Sequence, residues 1–66
     1  MKFIKIAQTD KNSYLVLTKK DDILLGEIEY YDQWHKFIFT PERHTFYDCE
    51  CMIELGEYLK LCKLQG

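Results

Sequence analysis

Residues 23–41 read ILLGEIEYYDQWHKFIFTP, and they hold the densest aromatic segment of the chain: Tyr30, Tyr31, Trp34, Phe37 and Phe39 are five of its ten aromatic residues. Two runs of apolar–polar alternation, Ile23–Tyr31 and Trp34–Thr40, flank the polar pair Asp32-Gln33. Such a pattern predicts two antiparallel strands joined by a tight turn. With Asp32-Gln33 as a two-residue loop, Glu29 stands opposite Lys36, Gly26 opposite Phe39, Ile28 opposite Phe37 and Tyr30 opposite His35. An ion pair, a ring covering bare backbone and one apolar face then agree with each other. Asp-Gln is not the favoured Asn-Gly or Asp-Gly of such a turn, and a loop of another length would change the pairing.

Working outward, Lys2–Ala7 (KFIKIA) alternates and Tyr14–Thr18 (YLVLT) is rich in β-formers. The polar clusters Thr9–Ser13 and Lys19–Asp22 separate these segments as turns. The strands are expected at about 2–7, 14–18, 23–31 and 34–40. A helix is expected at about 49–64. Asp48 is its N-cap candidate, Glu50 lies in its first turn, and Lys60 and Lys63 lie toward its C-terminal end. At about 100° per residue, Cys51, Met52, Leu55, Tyr58, Leu59 and Cys62 form one stripe, opposite Glu50, Glu54, Glu57 and Lys60. The expected fold is α+β: a four-stranded antiparallel meander (ββββα) with the C-terminal helix packed on one face. Its core is predicted to centre on Leu24, Ile28, Phe37, Phe39, Met52, Leu55 and Leu59.

At 66 residues the chain makes a single small domain, 1–66, and a chain this short buries only about 60% of its extended surface. An apolar fraction of 47% is enough to build a core, which argues against disorder. The net charge of −2, with neither sign gathered into a block, lacks the basic excess of proteins that live on phosphate backbones. The opening MKFIKIAQTDKNS has no apolar h-region, and no apolar run is long enough for a membrane span. Three cysteines, Cys49, Cys51 and Cys62, are an odd count and read as reduced thiols in a cytoplasmic protein.

The anchors Leu25-Gly26-x-Ile28, Tyr30-Tyr31, Trp34, Phe37-x-Phe39-x-Pro41, Phe46 and Cys51-Met52-x-x-Leu55-x-x-Tyr58-Leu59 lie within residues 24–62. Their spacing resembles a group of short proteins of unknown function from phage, prophage and bacterial genomes. That group's pattern runs roughly L-G-x-I/V-x-W/Y-Y, W-R/K-x-Y/F-x-F-x-P, F and C-L-x-D/E-I-x-x-F-L. This chain departs from it at His35, where a basic residue is usual, and in Glu50 and Glu54 around its cysteines. The resemblance implies a strand-rich fold ending in one helix, and it carries no activity.

Cys49-x-Cys51 with His35 and His44 supplies zinc-type ligands. Structural zinc sites, however, favour a knuckle of ligands two to four residues apart with a second such pair, so no metal or other cofactor is expected. A helix-start thiol such as Cys49 can act as a nucleophile, but Asp48 and Glu50 oppose thiolate formation and no base is evident. No catalysed reaction is expected. Tyr31 and Trp34 at the hairpin tip, beside Lys36, are the candidate contact for a protein partner. Ile53, Leu61 and Leu64 fall on the polar side of the helix, where a homodimer or a groove in a host protein would account for them. The functional expectation is a small accessory protein of phage or mobile-element type that docks on another protein, such as a host factor or a defence component it inhibits. The alternative is a small nucleic-acid-binding module that stacks bases on the aromatic tip, against which Glu27 and Glu29 on the same face would act by charge repulsion.

Overall fold

The computed structural model describes the backbone of residues 1–65 and the side chains of residues 1–62. Four strands, β1 (Ile4–Asp10), β2 (Ser13–Thr18), β3 (Leu24–Tyr31) and β4 (Lys36–Pro41), precede one helix, α1 (Cys49–Gln65). The strands form one antiparallel sheet in the order β1-β2-β3-β4. The helix lies across one face, as the sequence predicts.

Pleat alternation decides which residues meet the helix. Ile4 and Ile6 of β1, Tyr14 and Val16 of β2, Gly26 and Ile28 of β3, and Phe37 and Phe39 of β4 share that face. Ile4, Val16, Leu25, Ile28 and Cys62 are buried, with Cys51, Leu55, Tyr58 and Leu59 of α1 packed against them. Tyr14 meets Phe37 and Tyr58 in tilted and edge-on ring contacts, with centroids 6.4 and 5.8 Å apart.

The β3–β4 register corrects the expected one. Tyr31 pairs with Lys36, Tyr30 with Phe37, Glu29 with Ile38, Ile28 with Phe39 and Gly26 with Pro41. The loop therefore comprises the four residues 32–35. A two-residue type I′ turn needs two left-handed residues, which Asp32 and Gln33 do not favour. The longer loop needs one, and His35 supplies it at φ 52°. The slip is two residues, so each side chain keeps its face. Phe39 still covers Gly26, now from a diagonal position.

Two residues expected in the core lie elsewhere. Val16 pairs with Gly26 and Leu17 with Leu24, which leaves Leu25 as an extra residue on β3. This bulge turns Leu25 into the core and leaves Leu24 half-buried. The carbonyl of Leu25 accepts both the backbone N–H of Glu42 at 2.8 Å and the Tyr47 hydroxyl at 2.5 Å, which ties the β4–α1 connection to the sheet. Met52 is 62% exposed. The buried stripe of α1 centres on Cys51, Leu55, Tyr58 and Cys62, with Met52 at its margin.

Asp48 is the N-cap: its Oδ1 accepts the N–H of Cys51 at 2.9 Å, and its carbonyl accepts the N–H of Met52 at 3.1 Å. Half-buried Glu54 projects from α1 toward the start of the chain. Its carboxylate accepts the N–H groups of Lys2 (2.9 Å), Phe3 (3.0 Å) and Ile4 (3.2 Å). Burial raises the Glu54 pKa, but these three donors outweigh it and hold the carboxyl below the usual glutamate range.

Candidate partner-binding surface

The β3–β4 tip is held together by its own short contacts. The N–H of Trp34 donates to the carbonyl of Tyr31 and that of His35 to the carbonyl of Asp32, each at 3.2 Å. The Tyr31 hydroxyl donates to Oε1 of Gln33 at 2.6 Å. The rings of Tyr31 and Trp34 meet edge to face, with centroids 5.2 Å apart and planes at 87°. A two-residue turn would set Tyr31 and Trp34 opposite each other across the strands; here they pair instead within the loop, as residues i and i+3. Tyr31 is half-buried beneath it, while Trp34 is 64% exposed. Lys36 stands opposite Tyr31. Glu27 and Glu29 extend from β3 on the same side of the sheet, both exposed.

The other sequence candidates lie apart from this tip. Ile53 is 58% and Leu61 50% exposed on α1, while Leu64 falls outside the residues whose side chains are described. Leu61 borders a shallow, largely apolar groove of about 390 Å³ with Met1, Ile4, Ile6 and Tyr58, beside β1. β1 is the edge opposite β4, so the tip and Leu61 form two separate patches.

Two further apolar surfaces escaped the sequence reading. Phe46, in the β4–α1 connection, is 89% exposed and borders a groove of about 340 Å³ with Ile23, Leu25 and His44. The sheet face away from α1 carries half-buried Leu15, Leu17, Leu24 and Ile38. The unbroken apolar run Leu15-Val16-Leu17 in β2 is the sequence signal for that face, since consecutive strand residues point to opposite sides of the sheet.

Around the cysteines, burial and the neighbouring Asp48 carboxyl together push the Cys51 thiol up, and burial pushes the Cys62 thiol up. Cys49 is exposed, Cys51 half-buried and Cys62 buried. The Asp48 carboxyl is held below its ordinary value, chiefly by the Cys51 N–H. His35 and His44 flank β4 at its two ends. Among the described residues, no cluster of three or more His, Cys, Asp or Glu side chains is arranged to hold a metal ion. Likewise, no helix among them is long and apolar enough to cross a membrane. No family model matches the chain, and neither the curated proteins nor the solved structures contain a match to it.

Proposed function

We propose that the protein acts by binding and catalyses no reaction: it is a small accessory protein of phage or mobile-element type that docks on another protein through the β3–β4 tip. The observation that carries this reading is Trp34, a largely exposed indole fixed by the Tyr31 ring and by two backbone hydrogen bonds in its loop. Aromatic side chains of this kind dominate interface hot spots, and one already immobilised loses little further entropy on binding. The acidic pair Glu27 and Glu29 beside the tip favours a protein partner over a sugar–phosphate chain. The resemblance in residues 24–62 is the support for a phage-type origin.

The test compares wild type with Trp34→Ala, both immobilised and both confirmed folded by their melting curves. The expected result is one host protein recovered by wild type, with retention that persists at physiological salt, and lost by the variant. Equal recovery by both proteins would overturn the tip as the contact. Retention on single-stranded DNA that fell steeply between low and physiological salt would replace the reading with nucleic-acid binding.

A further inference from the structure

The two edges of the sheet are treated differently. Lys19 donates its N–H to the carbonyl of Phe3, so Phe3 is turned toward β2 and, by alternation, Ile4, Ile6 and Gln8 turn their backbone groups outward. Of these, the N–H of Ile4 is taken by Glu54, and a register shift between Gln8 and Asp10 breaks the strand just beyond. A carboxylate at one end and an irregularity at the other shorten the run that a further strand could use, leaving Ile6 between them.

β4 has no such closure. Glu42 donates to Leu25, so Thr40, Ile38 and Lys36 face β3, while Phe37 and Phe39 turn their N–H and C=O groups outward. Among the described residues nothing bonds to these groups. The outward run is also self-complementary. In Phe37-Ile38-Phe39, an antiparallel second copy centred on Ile38 sets each Phe37 against the other copy's Phe39, in hydrogen-bonding positions on both sides of the centre. Pro41, which has no N–H, ends the ladder. Along the strand Lys36 stands opposite Thr40 of the other copy, so no like charges are opposed.

We propose that β4 is an interface between two copies of this chain, paired antiparallel about Ile38 so that the two sheets run into one. The surface is the strand edge, distinct from the indole of Trp34, so this pairing and the docking reading can each fail alone. A ladder this short makes a weak, concentration-dependent dimer.

Sedimentation of the purified protein from low micromolar to millimolar concentration should show the mass rising from monomer to dimer. Ile38→Lys sets two lysines against each other at the two-fold, while within one copy the lysine meets its cross-strand neighbour Glu29. This variant should stay monomeric with an unchanged circular dichroism spectrum. In a Cys49→Ser background, Ile38→Cys should form a disulfide-linked dimer on mild oxidation, because residues opposite at a non-hydrogen-bonded position lie about 4.5 Å apart at Cα, within disulfide reach. Ala7→Cys, on the closed β1 edge, should not. A monomer at every concentration, a dimer indifferent to Ile38→Lys, or cross-linking no faster at position 38 than at position 7 would overturn the proposal. If Ile38→Lys does not fold, the cross-linking comparison decides.

Discussion

Phe39 lies across the bare α-carbon of Gly26: a methyl group added there would meet the ring's Cζ at 2.7 Å and collide with the carbonyl oxygen of Thr40. The carbonyl belongs to backbone and cannot step aside as a side-chain tip could. Gly26→Ala should therefore destabilise the fold by about 3 kcal/mol, near the upper range for overpacking. Gly56 is the internal control, since an added methyl there finds nothing within 4 Å and sits inside α1. Gly56→Ala should stabilise by about 0.5–1 kcal/mol through helix propensity. Urea midpoints of the two variants would move in opposite directions, and a shift in the same direction would contradict the packing at Gly26.

Ile28 and Trp34 occupy the same hairpin under opposite conditions, one fully buried and the other largely exposed. Ile28→Ala should cost about 3–4 kcal/mol, a large share of the stability of so small a domain. Trp34→Ala should cost about 1 kcal/mol or less, the worth of one aromatic pair at the surface. Chemical denaturation measures both, and a comparable loss from the two would mean that the tip is core.

How much of this was legible follows from which interactions are periodic. Strand alternation and the stripe of α1 are repeating signals, so four strands, one helix and the Asp48 cap could all be read. The face assignment of Ile28, Phe37 and Phe39 survived an incorrect turn because the register moved by an even number of residues. Leu25 was missed because a bulge is set by the pairing of Val16 and Leu17 across the ladder, which no local pattern announces. Met52 was misplaced for a related reason: the rotation of α1 also has to direct Glu54 at the first residues of the chain, a polar constraint that apolar periodicity does not contain. At the site, the Tyr31–Trp34 pair was legible from spacing, whereas exposed Phe46 and the leucines of the open face depend on where the connections run.

Glu54 makes stability depend on acid. Its folded pKa is lowered, so the stability it contributes is complete above the ordinary value of 4.5 and is lost as pH falls through the depressed folded value. Wild type should thus lose melting temperature steadily below about pH 4.5, while Glu54→Gln, already weaker at pH 7, should lose less over the same range. Parallel curves for the two proteins would remove Glu54 as the source.

His35 holds φ 52°, in the left-handed region, which histidine enters more often than most residues with a side chain but less readily than glycine. His35→Gly relieves the left-handed strain, and the greater freedom of unfolded glycine offsets part of the gain. A net stabilisation of about 0.5–1 kcal/mol is expected, measurable by thermal melts. A loss of stability would show the imidazole to be making a compensating contact.

The thiols should react in order of access. Cys49 should label first with a thiol reagent. Cys51 and Cys62, whose thiols burial pushes up, should follow slowly, with Cys62 limited by opening of the helix from the sheet. Uniform fast labelling would mean that α1 does not stay docked.

The three hydrogen bonds at Glu54 join residues that stand 50 to 52 positions apart, nearly the two ends of the chain. Every strand pairing of the meander is between neighbours in sequence and can form by short loop closures, whereas the Glu54 contact comes with the docking of α1 on β1. This one closes a ring around the whole molecule, and the entropy of that closure must be met before its bonds can form. It is expected to form late on the folding path, after the transition state, and so to govern the rate of escape from the native state. The carboxylate works as a latch: removing it should leave the folding rate nearly unchanged and raise the unfolding rate.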